Sequence, residues 1–292
     1  MHVVALVGPL GVGVTAADLI LCLGMYYLRM FGVTAGYHRY FAHRAFKTSR
    51  VFQFVLAFLA QTSAQKGVLW WAGHHRNHHK YADTDRDPHS PTRQGLFWAH
   101  IGWILDSRND ATPKGRISDF EEFPELRWLD HHHLVPPTVL AVVLFAFGGL
   151  PALVWGFFVS TLFLFHGTFA INSLSHIFGS RRYATKDTSK NSVLLALLTM
   201  GEGWHNNHHH YCSSANQGFF WWEFDPCHLI LRMLSVTGVV WDLRRPPQRV
   251  LDEGRRKTAP VTGAMDHQRI PAEQSALPVG ARFRRRAWPH PS

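Results

Sequence analysis

Residues 134–171 contain no Asp, Glu, Lys or Arg, and a run of that length leaves few folds open. A bilayer core takes about 20 apolar residues per helix, so the run is long enough for two. Gly148-Gly149-Leu150-Pro151 interrupts it with residues that turn a chain rather than propagate a helix. The pattern predicts two helices back to back, the first of them short unless it begins near His131. A buried helical hairpin of a soluble protein is the alternative, and the length of the run weighs against it.

Residues 12–31 form a second apolar stretch, interrupted by charge only at Asp18 and Arg29, and are predicted to cross the membrane as one helix. Residues 1–10 are apolar but too short to span, and they lack the basic start and small-residue cleavage site of a signal peptide. They read as a truncated or reduced first span. Weaker apolar pieces follow at 51–60, expected along the membrane interface, at 193–200, and at 228–241, which is amphipathic. From Arg244-Arg245-Pro246-Pro247 onward apolar periodicity is almost lost. Residues 1–243 are therefore read as one membrane domain and 244–292 as a basic, disordered tail.

The charges give an independent test of topology. A hairpin at 134–171 puts its two flanks on one side of the membrane. Arg39, Arg44, Lys47, Arg50, Lys66, Arg76, Lys80, Arg86 and Arg93 precede it, Arg181, Arg182, Lys186 and Lys190 follow it, and the turn carries no basic residue. Both flanks are thus predicted to be cytoplasmic. The net charge of +10 is then that of cytoplasmic loops, and only Arg284-Arg285-Arg286 would speak for nucleic acid, which is not expected as a partner. Cys22, Cys212 and Cys227 form no C-x-x-C pair, so neither a disulfide framework nor a thiolate zinc site is supported.

Histidine is the compositional anomaly: 21 residues, against 20 Asp plus Glu. Three clusters stand out, at His38 and His43, at His75, His78 and His79, and at His205, His208 and His209. The last two share the spacing H-x-x-H-H, which on a helix puts three imidazoles on one face, able to point into one site. The i, i+5 pair His38 and His43 would diverge on a regular helix, so His43 is expected where that helix ends or distorts. Neutral imidazole suits Fe, Zn, Cu and Ni. Eight such ligands exceed the three or four that one zinc ion takes and imply two metal ions.

These residues resemble the integral-membrane fatty acyl desaturases of the stearoyl-CoA desaturase type over about 32–243. Gly32-Val33-Thr34-Ala35-Gly36-Tyr37-His38-Arg39 is similar to that family's first histidine box with its lead-in. His75-Arg76-Asn77-His78-His79, followed by Asp83-Thr84-Asp85 and Asp87-Pro88-His89, is similar to the second, and Gly201-Glu202-Gly203-Trp204-His205-Asn206-Asn207-His208-His209 to the third. Asn172-Ser173-Leu174-Ser175-His176 also matches. The resemblance implies an all-α integral-membrane bundle of about four transmembrane helices under a cytoplasmic, histidine-rich di-iron cap. It implies nine histidine ligands, His38, His43, His75, His78, His79, His176, His205, His208 and His209, with Asn172 holding one metal through water. His176 enters by resemblance, not by spacing. How the nine divide between two irons is not readable from the sequence.

The implied activity is the O2-dependent insertion of a cis double bond into a long-chain saturated acyl group, delta-9 by family default, with acyl-CoA as carrier. Arg76, Thr168 and Phe169 are the candidate substrate-binding residues. The animal acyl-CoA enzymes carry an Arg-Asp pair before the second box that helps grip CoA, and Gly73-His74 stands there in this chain, so an acyl carrier protein or an intact lipid stays open as carrier. A related histidine-box hydroxylase, acetylenase or alkane monooxygenase is the enzymatic alternative, and a metal-binding membrane protein the non-enzymatic one. No haem-binding domain, dinucleotide fingerprint or iron–sulfur cysteine pattern is present, so electrons are expected from outside, from a ferredoxin or cytochrome b5 with its reductase. Trp70, Trp71, Trp98 and Trp103 suit an interfacial belt. His131-His132-His133 is placed at the interface, His89 behind a ligand, and His2 and His166 are assigned no role.

Overall fold

The computed structural model describes residues 1–256 and builds them almost entirely from helices, as expected of an all-α chain. The only strands described, β1 (Lys47–Thr48) and β2 (Val240–Trp241), are a two-residue antiparallel stitch.

Helix α1 (His2–Val12) stops at Gly13, whose φ of 73° favours glycine. Helix α2 (Ala16–Phe31) begins with a capping box: the Asp18 amide donates to Thr15 Oγ1 at 3.2 Å and the Thr15 amide to Asp18 Oδ2 at 3.0 Å. Asp18 therefore sits in the first turn, where a carboxylate is favoured, rather than stranded among apolar residues. Arg29 is buried, and its guanidinium donates to the Thr161 hydroxyl at 2.6 Å and the Met25 carbonyl at 3.0 Å. A neighbouring helix thus answers the second charge of the stretch. Beyond Phe31 the helix continues as a π-helix, Gly32–Ala42. The continuous apolar helix is Ala16–Ala42, later at both ends than the 12–31 read from composition.

Helix α3 (Arg50–Gln61) lies against that π-helix. A Cβ on Gly32 would come within 2.9 Å of the Ala60 nitrogen, and one on Gly36 within 3.0 Å of the Leu56 carbonyl oxygen. Only glycine permits this approach. The segment expected along the interface is therefore two-faced: Leu56, Ala57 and Ala60 are buried while Val51 and Val55 stay exposed. Helix α4 (Val68–Tyr81) starts on Asp130, whose Oδ1 accepts from the amides of Leu69 and Trp70 at 2.8 and 3.0 Å.

The long apolar run is helical from Val135 to His176 but not straight. In helix α5 (Val135–Ala152) the chain reverses at Gly149, with φ 63° and ψ −157°. Along a straight helix Leu144 and Gly156 would be about 18 Å apart, yet a Cβ on Gly156 would lie 3.2 Å from Leu144 Cδ2. The run is two arms, as its Gly-Gly-Leu-Pro break predicts. The second arm passes through a π-helical stretch, Leu153–Val159, into α6 (Ser160–Ser173) and ends in the 3-10 turn Leu174–His176.

Among the shorter helices of the described residues, three follow the last arm and bear on the histidine cluster or its surroundings: α7 (His205–His210), α8 (Pro226–Val236) and α9 (Gln248–Arg255). The last lies beyond the predicted end of the domain at Leu243. Val250 of α9 packs with Tyr183, Phe219 and Phe220, so ordered structure passes Leu243; residues 257–292 of the expected tail lie outside the described residues.

Candidate metal centre

Four elements deliver nine histidines to one place. The π-helix carries His38, and the π geometry brings in His43: its amide donates to the His38 carbonyl at 3.1 Å, an i to i+5 bond. The distortion expected between those two residues is this one. Their rings are 4.8 Å apart. α4 supplies His75, His78 and His79, α7 supplies His205, His208 and His209, and the turn after α6 supplies His176.

The nine sort into two groups, His38, His43, His75, His79 and His208 in one and His78, His176, His205 and His209 in the other. Each H-x-x-H-H box is therefore split rather than aimed at one point. In α4 the first and last histidines face the five-membered group and the middle one the other; in α7 the assignment is reversed. At 100° per residue, positions i and i+4 differ by only about 40° while i+3 falls on the opposite flank, so two helices can serve two adjacent centres.

Within the first group the Nε2 atoms face one another: His43 and His75 at 2.9 Å, His75 and His79 at 3.0 Å, His79 and His208 at 2.9 Å, His38 and His208 at 3.0 Å. In the second, Nε2 of His176 and His205 are 3.2 Å apart, and Nε2 of His209 is buried with no hydrogen-bond partner. Converging lone pairs of this kind are what a cation would satisfy. The donors are all imidazole, with no thiolate, which fits iron among other first-row metals.

The opposite ring nitrogens are held by groups that sequence reading left without a role. Nδ1 of His78 lies 2.9 Å from Asp87 Oδ1, Nδ1 of His209 2.9 Å from Asp187 Oδ2, and Nδ1 of His176 3.3 Å from Asp83 Oδ2. Nδ1 of His38 contacts Glu202, and Gln217 Nε2 lies 3.4 Å from His208 Nδ1. A carboxylate behind an imidazole fixes its tautomer and leaves Nε2 free for a metal. Asp83, Asp87 and Glu202 are adjacent to the boxes in sequence; the one available signal for Asp187 was that it is the sole acid among the basic residues of 181–190. His89 stacks on His78 with ring centres 4.3 Å apart.

Burial, reinforced by neighbouring histidines, holds His75, His79, His205 and His208 well below the ordinary histidine range, so these imidazoles stay neutral, the form that coordinates. His209 is pushed down to about 4 by burial, with Asp187 opposing. At His78 burial also lowers the value, but Asp87 overrides it and the net shift is upward. Burial raises Asp187, yet His209 more than compensates and its carboxyl lies below the usual carboxylate range. The buried acids thus make a negative frame around the cluster.

Across residues 15–240 the chain matches the fatty acid desaturase family. It belongs to that family. It is 37% identical over 221 residues to the sn-1 stearoyl-lipid 9-desaturase of Synechocystis sp., covering 75% of this chain and 69% of that one. To an acyl-CoA C20 Delta5-desaturase of Anemone leveillei it is 35% identical over 231 residues, 78% and 74% of the two chains. A hex-5-enoyl acyl-carrier protein acetylenase of Moorena producens is 34% identical over 259 residues, 82% and 80%. The chain is thus an enzyme of the desaturase class.

Beside its histidines the desaturase has an apolar cavity of about 370 Å³. Thr168, Phe169 and Asn172 line it, with Trp70, Trp71, Trp103 and His75. Thr168 accepts from Gln65 Nε2 at 3.1 Å and donates to the Leu164 carbonyl at 2.9 Å. The tryptophans correct the interfacial-belt expectation: Trp70 and Trp103 are buried and stacked at 5.6 Å, and Trp71 stacks on His75 at 5.1 Å. Trp98 donates instead to the Pro88 carbonyl at 3.0 Å. Arg76 is not among the residues that line this cavity. Its guanidinium donates to both Asp119 oxygens at 2.7 and 2.9 Å and to the carbonyls of Phe41, Ala42 and Arg116. A residue so fully engaged fastens α4 to its neighbours.

Proposed function

We propose that the chain is an integral-membrane, non-haem di-iron desaturase that uses O2 to insert a cis double bond, at delta-9, into a long-chain saturated acyl group. In this reading the helix Ala16–Ala42 and the two arms of the hairpin cross the bilayer, α1 enters it as a reduced span, and the histidine cap lies on the cytoplasmic side. The basic residues flanking the hairpin support that orientation. Two irons would be held by His38, His43, His75, His79 and His208 and by His78, His176, His205 and His209, with Asn172 serving one of them through water.

One observation carries the reading. His75, whose Nε2 faces His43 and His79, also lines the apolar cavity, so an acyl chain bound there lies against the histidine cluster. Iron held by these histidines and reduced by an outside donor would supply the O2-derived oxidising power needed to take hydrogen from an unactivated methylene. Two hydrogens leave adjacent carbons and, with two electrons from the donor and two protons, balance the reduction of one O2 to two waters. Asp83, Asp87, Asp187 and Glu202 keep the imidazoles in the ligating tautomer. Thr168 and Phe169 position the chain, and Trp70, Trp71 and Trp103 keep water from it.

Acyl-CoA is the proposed carrier, in keeping with the relative from Anemone leveillei. A second reading, an acyl group on an intact lipid, draws on Lys66, the one Lys or Arg lining the cavity among the described residues. Its ammonium is held by Asp110 at 2.8 Å, which leaves little to bind the phosphates of CoA. Electrons come from a ferredoxin or from cytochrome b5 with its reductase, drawn to the basic face. Expression in a host without its own desaturase, followed by mass spectrometry of the lipids, tests the reading. A delta-9 monounsaturated product is expected; hydroxylated product alone would overturn it, and bound zinc with no turnover after iron reconstitution would point to a metal-binding membrane protein.

A further inference from the structure

A second cavity, of about 340 Å³, lies beside α8 and is lined by none of the nine clustered histidines. Arg232 and Arg245 line it, and both are exposed. The two carboxylates on the same wall are already answered elsewhere. Glu223 accepts from Arg182 at 2.7 Å and Asn207 at 2.8 Å, and Asp225 from Arg39 and the Gln217 amide, both at 2.8 Å. His228 is only 7% exposed, and its Nδ1 is buried with no hydrogen-bond partner. The cavity therefore offers two cations, with its acids neutralised and a buried, unpartnered imidazole in its wall, an arrangement suited to a phosphate.

The rim is apolar. Trp221 is 92% exposed, Phe224 is exposed, and α8 turns Leu229, Met233 and Val236 outward at i, i+4 and i+7. This surface is tied to the helix Ala16–Ala42. The Cys227 amide, in the first turn of α8, donates to the Met200 carbonyl at 3.3 Å. Just before Met200, the helix Val193–Leu198 exposes Val193, Leu194 and Leu197, and Tyr26 donates to the Leu198 carbonyl at 2.7 Å. Exposed apolar side chains with a tryptophan, continuous with a spanning helix, are what a protein presents to the membrane interface.

We infer that this cavity is a head-group site for an anionic phospholipid, its phosphate diester held by Arg232, Arg245 and Nδ1 of His228 and its acyl chains lying on Trp221, Met233 and Val236. Basic pockets at the cytoplasmic interface take such lipids. The inference rests on the membrane-embedded reading above, but not on the acyl substrate.

The test uses the full chain in phosphatidylcholine nanodiscs with and without phosphatidylglycerol, read by native mass spectrometry for retained lipid and by titration with dioctanoyl-phosphatidylglycerol. One phosphatidylglycerol is expected to be retained per chain. Arg232→Gln with Arg245→Gln should weaken binding about tenfold or more while desaturase turnover in phosphatidylcholine is unchanged. Equal retention by the double variant, or binding of inorganic phosphate as tight as that of the lipid, would overturn the assignment. Carbonate extraction of native membranes separates the two readings: release of the protein sinks the embedded reading, whereas a resistant protein that shows no lipid preference sinks only this one.

Discussion

Asp187 and His209 are joined across 22 residues of chain by a contact of 2.9 Å between Oδ2 and Nδ1. The contact fixes the His209 tautomer and leaves its Nε2 free to face His78, His176 and His205. Replacing Asp187 by Ala should cost the four-histidine group about 10–100-fold in metal affinity. Iron per chain after dialysis against a weak chelator should fall toward half, because the five-histidine group is untouched. Full iron occupancy in the variant would show that Asp187 supports no metal ligand.

The unequal groups predict unequal tolerance. His208→Ala leaves four histidines in its group, and His205→Ala leaves three. Chelator titration of the two variants should therefore strip iron from His205→Ala at the lower chelator concentration. Identical curves would count against this division of the nine.

Thr168 narrows the cavity while bonding Gln65. Thr168→Leu adds bulk where the acyl chain is proposed to lie, and overpacking of this kind costs about 1–3 kcal/mol. kcat/KM for an 18-carbon substrate should drop by about ten- to a hundredfold with iron content unchanged, and Thr168→Ser, which keeps the hydroxyl, should stay near the parent. A uniform loss in both variants would show that added bulk in the cavity is not what sets the effect.

Arg76→Ala should act on stability and not on substrate binding. It removes the paired bonds to Asp119 and three carbonyl contacts, worth about 1–3 kcal/mol. Tm should fall, while KM for the acyl substrate stays put. An increase in KM without a change in Tm would restore the substrate-binding role.

Burial depresses His228 from the ordinary 6.5 to about 4, against the opposing pull of Asp225. Between those values the unfolded chain takes up a proton at this side chain and the folded protein does not. Its contribution is therefore fully present above pH 6.5 and is lost as pH falls toward 4, by about 3 kcal/mol at most. The Tm of His228→Gln, which does not titrate, should decline less steeply than the parent's over that window; parallel curves would assign the acid sensitivity to other groups.

Much of the architecture was legible because it follows from local pattern. A charge-free run with a Gly-Gly-Leu-Pro break can only be helices with a turn, and the i, i+5 spacing of His38 and His43 required a distorted helix, met by the π-helix. Other readings failed where side chains choose partners across the fold. Trp70, Trp71 and Trp103 look like interface residues until α4 is packed, when they become the cavity wall. The hold of Asp119 on Arg76, 43 residues away, was equally invisible in the sequence. Val250 sits in a stretch without apolar periodicity and is nonetheless buried, because one apolar residue is enough when Tyr183 and Phe220 already form its pocket.

The amino-acid order by itself determined the helices, their apolar faces and the identity of eight histidines in three clusters, since each of these depends on spacing along a chain of known pitch. Only the tertiary structure decided that the nine divide five and four, that α4 and α7 contribute to the two groups in opposite proportions, and that Asp83, Asp87, Asp187 and Glu202 stand behind them. Those relations join residues up to 170 positions apart, as between His38 and His208, and are set by how helices cross rather than by local spacing.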